Sequence, residues 1–171
     1  MLLGGRPEGE LYDPAAGGFA TTGSPQLRAP WSGPAVATLG NGDVLVVGGH
    51  EGPYSWESPA LVTRARLYQP ATNQFLVTGA MIWPRAGHSA TTLADGRVMI
   101  FGGEGDSRWP ERGEIFDPST GSFAATVAAA SGRVEHTATL LLSGQVLITG
   151  GRAGSSVITP FASAPSILFQ P

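Results

Sequence analysis

Gly87-His88-Ser89-Ala90-Thr91-Thr92-Leu93 leads through Asp95-Gly96 into Arg97-Val98-Met99-Ile100-Phe101-Gly102-Gly103. After a variable insert come Glu114-Ile115-Phe116-Asp117-Pro118, a short turn, and Ser122-Phe123. The pattern recurs along the chain, and the recurrence sets the architecture. Glycine doublets stand at Gly4-Gly5, Gly48-Gly49, Gly102-Gly103 and Gly150-Gly151, at spacings of 44, 54 and 48 residues. A period of about 50 residues belongs to propeller blades rather than helical solenoids. No stretch of useful length shows the 3.6-residue periodicity that helical repeats need.

Each full unit reads as four short strands. The inner strand, expected over about 34–39, 88–93 and 136–142, is rich in Ala, Thr and Ser, as in Ala90-Thr91-Thr92 and Thr137-Ala138-Thr139. Small side chains suit the place where blades converge on an axis. The second strand, over about 43–48, 97–102 and 145–150, is continuously apolar, as in Val146-Leu147-Ile148. Such a run marks a strand covered on both faces. Asn41-Gly42 and Asp95-Gly96 join the two, with Ser143-Gly144 in the same place, and they predict type I′ hairpins. The third strand carries an aromatic two residues before a proline: Tyr12, Tyr68, Phe116 and Phe169. A second aromatic follows the proline by five: Phe19, Phe75 and Phe123. Between them, Asp13-Pro14-Ala15-Ala16-Gly17, Gln69-Pro70-Ala71-Thr72-Asn73 and Asp117-Pro118-Ser119-Thr120-Gly121 read as turns closed by a left-handed residue, with Asn73 standing in for Gly. The doubled glycines are expected where another backbone packs too close for a Cβ.

An apolar strand ending in Gly-Gly and followed by spaced aromatics resembles the kelch repeat. Gly48-Gly49 with Tyr68 and Phe75, and Gly102-Gly103 with Phe116 and Phe123, match it, with Phe in place of the family's Trp. Arg85, His88, Arg133 and His136 fit the Arg-x-x-His strand of bacterial kelch-like repeats; in the second unit Trp31 and Pro34 take those positions. The resemblance implies an all-β fold, a partial β-propeller of four-stranded antiparallel blades. The chain is expected to be one propeller segment over 1–171. Full blades fall at about 34–78 and 88–126, and blade remnants at 1–22 and 136–171. The last remnant lacks its fourth strand and the first its inner strand. A fragment of a longer propeller is the expected reading, with self-association through open blade edges.

Composition narrows the function. A net charge of −3 and no Lys/Arg run argue against nucleic acid as a partner. No apolar run approaches a membrane span, and no signal peptide is visible; an extracellular or periplasmic site suits a longer chain. The chain has no cysteine, hence neither a disulfide nor a thiolate metal site. His88 and His136 each stand 14 residues before a glycine doublet and recur with the repeat, which gives them, like Arg85 and Arg133, a packing role. His50 has Glu51 as its one close potential co-ligand, too few for a metal, so neither metal nor cofactor is expected.

The inserts after the second strands, about 50–63, 104–112 and 152–165, differ in length and content. In a four-stranded meander they share one face with the segments that lead into the inner strands. Loops on a rigid scaffold concentrate function. Tyr54, Trp56, Glu57, Trp83, Arg108, Trp109 and Glu111 are the candidate binding residues, aromatics with charges beside them being usual interface anchors. The expected function is a non-catalytic kelch-type scaffold that binds a protein partner on that face. The alternative is part of a carbohydrate-binding or galactose-oxidase-like propeller enzyme whose active site lies outside this segment. Galactose oxidase shares the kelch architecture, and its copper site uses tyrosines, histidines and a cysteine cross-linked to tyrosine.

Overall fold

The computed structural model describes residues 9–24, 31–52, 60–105, 112–128, 132–153, 162–163 and 165–170. Among the described residues there is no helix. β1 (Glu10–Asp13) and β2 (Gly18–Thr21) form a hairpin. Then follow β3 (Trp31–Ser32), β4 (Ala35–Thr38), β5 (Val44–Val47), β6 (His50–Glu51), β7 (Ala60–Leu61), β8 (Ala65–Gln69) and β9 (Gln74–Val77). The next unit is β10 (Ser89–Thr92), β11 (Val98–Phe101), β12 (Arg112–Asp117) and β13 (Ser122–Ala128). The last holds β14 (Val134–Leu140), β15 (Val146–Ala153), β16 (Ala162–Ser163) and β17 (Ile167–Phe169).

These strands build a partial β-propeller. β4-β5-β8-β9 and β10-β11-β12-β13 are complete antiparallel four-stranded blades. In the last unit β15 pairs with β14 on one side and with both β16 and β17 on the other. The inner strands lie side by side: Thr92 Oγ1 donates to the Thr38 carbonyl at 2.7 Å and Thr91 Oγ1 to that of Ala138 at 3.4 Å. The small Ala, Thr and Ser side chains that dominate these strands suit this close approach.

The core is the material between blades. Leu45, Val47 and Ala65 of one blade pack with Val98, Ile100 and Phe116 of the next. Across the following interface Met99 and Phe101 meet Val146 and Ile148. Alternation explains the pattern: neighbours along β11 face opposite interfaces, so the strand is apolar throughout. The repeated aromatics are in contact within each blade, with ring centroids 5.0 Å apart for Tyr68–Phe75 and 4.9 Å for Phe116–Phe123.

The connections differ in detail from expectation. In the hairpin after each inner strand only the glycine has positive φ: Gly42 87°, Gly96 87° and Gly144 83°. Gly42 N donates to Leu39 O at 3.0 Å and Leu39 N to Asp43 O at 2.8 Å. This is a three-residue loop closed by a left-handed glycine, not a type I′ turn. The third-to-fourth-strand turns are as read from the sequence. Gly17, Asn73 and Gly121 have φ of 63°, 55° and 68°, and Asp13 Oδ1 and Asp117 Oδ1 accept from the backbone N–H two residues on.

Two inserts read as loops carry strands. Beyond the glycine doublet the chain continues to pair with the segment leading into its own inner strand, giving Ser32↔His50, Ala86↔Glu104 and Val134↔Arg152. That continuation creates the small sheet β3-β6-β7 and starts the last inner strand at Val134, earlier than expected.

Candidate functional site

The doublets Gly48-Gly49 and Gly102-Gly103 are notches that the next unit fills. A Cβ on Gly48 would sit 2.5 Å from the Arg85 carbonyl oxygen and 2.5 Å from His88 Cε1; on Gly102 it would sit 2.4 Å from the Arg133 carbonyl and 2.5 Å from His136 Cε1. The second glycine of each pair completes the contact, Gly49 N donating to Arg85 O and Gly103 N to Arg133 O, both at 2.8 Å. At Gly150, among the described residues, no atom lies within 4 Å of that Cβ position. The Arg-x-x-His segments therefore join blades, which explains why they recur.

The guanidinium of Arg85 is wholly buried and binds a wholly buried carboxylate, Nη2 to Glu114 Oε1 at 3.0 Å, while Nη1 donates to the Gly102 carbonyl at 2.9 Å. Glu114 also accepts the backbone N–H groups of Ile82 at 2.6 Å and Trp83 at 3.3 Å. One carboxylate thus ties the connection between two blades to the third strand of the second. Burial draws the Arg85 pKa down, and Glu114 opposes that shift.

His88 is held neutral: burial, aided by the Arg85 charge and against the pull of the Val47 backbone, brings its pKa down to about 3. Burial and Arg133 bring His136 down to about 4. His136 Nε2 lies 2.9 Å from Ser89 Oγ, and its ring meets Phe101 edge-on at 5.6 Å. These imidazoles are packed into interfaces between blades.

On the face where the second strands end, two side-chain contacts lie beyond the Gly48-Gly49 doublet. His50 Nε2 approaches Glu104 Oε1 at 3.3 Å, joining adjacent blades, and Arg64 Nη1 meets Glu51 Oε1 at 2.7 Å. Of the candidate binding residues, Trp83 lies among the described residues; it is partly buried and its backbone is tied to Glu114. Tyr54, Trp56, Glu57, Arg108, Trp109 and Glu111 lie outside the described residues. Sequence reasoning took Glu114 as part of the third-strand motif and missed its ion pair. The available signal was an opposite charge at two repeat positions of the same unit.

No protein-family model matches the chain, and no curated protein matches it. A solved structure does: a fungal alcohol oxidase of the AA5 family, described as catalytically diverse and in complex with copper. The TM-score is 0.79 at 19% sequence identity. The match takes in 96% of this chain and 36% of the oxidase, so the chain spans about a third of that enzyme's length. At this identity the likeness shows the fold. It corrects the expectation of a protein that is not an enzyme, because the fold shared over nearly all of this chain is one that an oxidase is built on.

The described residues do not fit a copper centre. Among them no three His, Cys, Asp or Glu side chains converge as metal ligands, and the chain has no cysteine. His88 and His136 are committed to blade interfaces, and His50 is paired with Glu104.

Proposed function

We propose that this chain is a kelch-type propeller segment of a galactose-oxidase-like enzyme, one that oxidises an alcohol or carbohydrate, whose reacting centre is formed by residues outside the described set. The observation that carries this reading is the match to the copper-bound alcohol oxidase over 96% of the chain. The described residues supply the rigid part: Arg85, Glu114, His88 and His136 lock blade to blade, a frame from which the connections at the glycine-doublet face depart. This is the division of labour in which a scaffold fixes loops and the loops carry chemistry.

The test uses the longest natural polypeptide that contains this sequence. Copper content is measured by elemental analysis, and hydrogen peroxide release is followed on a panel of primary alcohols and sugars. Copper uptake with copper-dependent peroxide release is expected. A protein that takes up no copper and releases no peroxide on any substrate would overturn the reading.

A further inference from the structure

A groove of about 470 Å³ opens beside the third and fourth strands of the β4-β5-β8-β9 blade, lined among others by Thr63, Arg64, Arg66, Thr78, Gly79 and Pro84. It lies at the glycine-doublet end of the blade, where β8 begins and β9 ends. Its size suits a ligand of monosaccharide dimensions.

The charge of this groove is not required by the repeat. Arg66 pairs with Val46 and stands two residues before Tyr68; the same register places Glu114 opposite Ile100 before Phe116, and Ile167 opposite Ile148 before Phe169. Glu10 holds the position in the first unit. Carboxylates and an isoleucine thus serve the fold at this position, and the arginine reverses the charge. Arg64, two residues earlier, adds a second guanidinium. Glu51 balances one of the two through its 2.7 Å contact with Arg64. The hydrogen bond that Arg66 makes among the described residues runs from Nη1 to the carbonyl of its neighbour Ala65, at 3.0 Å. Burial and the repulsion of Arg64 both weaken its hold on its proton, with Glu51 only partly offsetting them. A guanidinium so placed gains from an added negative charge, and its planar fork matches a carboxylate.

We propose that this groove binds a small organic carboxylate of about the size of a sugar acid, with Arg66 as the fork that recognises it and Arg64, held by Glu51, as the second positive charge. The site is independent of the oxidase reading, since it uses none of the residues a copper centre would need.

The experiment titrates this chain with D-glucuronate, D-glucose and inorganic sulfate by calorimetry, at low and at high salt. Glucuronate should bind, weaken at high salt, and lose about tenfold or more in affinity in Arg66→Gln, a charge-assisted hydrogen bond being at stake. Arg66→Lys keeps the charge and loses the fork, so it should show most of the same loss; it serves also if Arg66→Gln fails to fold. Glucose should not bind. Glucuronate binding unchanged in both variants, glucose binding as tightly as glucuronate, sulfate binding without glucuronate, or no binding of any of the three would each overturn the proposal.

Discussion

Glu114 Oε1 lies 3.0 Å from Arg85 Nη2 with both side chains wholly buried, and the same carboxylate receives the backbone N–H groups of Ile82 and Trp83. Removing one partner leaves a desolvated charge, which typically costs about 3–5 kcal/mol. Glu114→Leu alone should therefore destabilise by that order, read by denaturant melts. The double variant Arg85→Met, Glu114→Leu should recover part of the loss, because it leaves no uncompensated charge. A double variant worse than the single by the full cost of a second buried charge would show that the pair does not act as a unit.

The notches separate space from backbone strain. Gly102 and Gly150 have nearly the same φ, 68° and 71°, but a Cβ on Gly102 meets the Arg133 carbonyl and one on Gly150 meets none of the described residues. The left-handed penalty is common to both, about 1–2 kcal/mol. Gly102→Ala should cost about 1–3 kcal/mol beyond Gly150→Ala, the usual scale of overpacking. Equal losses would remove the notch as a locking element.

Asn73 is more than a substitute for glycine. Its Oδ1 accepts from Tyr68 Oη and from Gly23 N, both at 2.9 Å, so it joins the turn to the preceding unit. Reading the position from φ alone makes Asn73→Gly nearly neutral. The hydrogen bonds instead predict a loss of about 1–3 kcal/mol, the net worth of two such bonds. Thermal melts of Asn73→Gly and Asn73→Asp, which retains the acceptor, distinguish the two.

Acid should loosen the blade interfaces before it protonates the exposed carboxylates. His88 and His136 are neutral in the folded protein down to about pH 3 and 4, whereas in the unfolded chain they take up protons near 6.5. Between those limits the unfolded state binds more protons, so stability is full above about pH 6.5 and falls as pH drops. The limiting slope is about 1.4 kcal/mol per pH unit for each buried imidazole. Urea midpoints measured from pH 7 to pH 5 should decline, and His88→Asn should flatten the decline. A flat profile in the parent protein would refute the buried-neutral assignment.

Glu135 occupies a left-handed conformation, φ 58°, where the matching positions of other units hold Gly33 and Gly87 at 65° and 63°. Its carboxylate pairs with the exposed Arg152 guanidinium. A surface pair is worth about 0–1 kcal/mol, less than the strain of a left-handed residue. Glu135→Gly should be neutral or stabilising by up to about 1 kcal/mol in a melt, and a clear loss would mean that the ion pair outweighs the backbone strain.

The propeller was legible because its determinants are local and periodic. Gly-Gly, the apolar second strand and the Tyr68–Phe75 type of pair recur at fixed offsets, and each states one backbone or packing requirement. The Arg85–Glu114 contact was not legible in the same way. It joins residues 29 apart in sequence through a connection of irregular length, and each residue alone reads as a repeat position or a solvated charge. The hairpin type was misread for a related reason: Asp95-Gly96 fits two loop lengths, and the Leu93–Arg97 pairing chooses the longer. Tyr54, Trp56 and Trp109 of the expected loop-face aromatics sit in the inserts, where unit-to-unit comparison has nothing to compare.

The notch contacts also run in one direction: among the described residues, Gly48-Gly49 and Gly102-Gly103 are each closed by the unit that follows in the chain. Coupling of this kind passes between nearest neighbours, as in a one-dimensional array. Opening the β14–β15 unit would release the amide of Gly103 from the Arg133 carbonyl while leaving that of Gly49 held by Arg85. Amide exchange in the native protein should therefore be graded along the chain, with Gly103 exchanging with the fluctuations of the last unit and Gly49 with those of the unit before it.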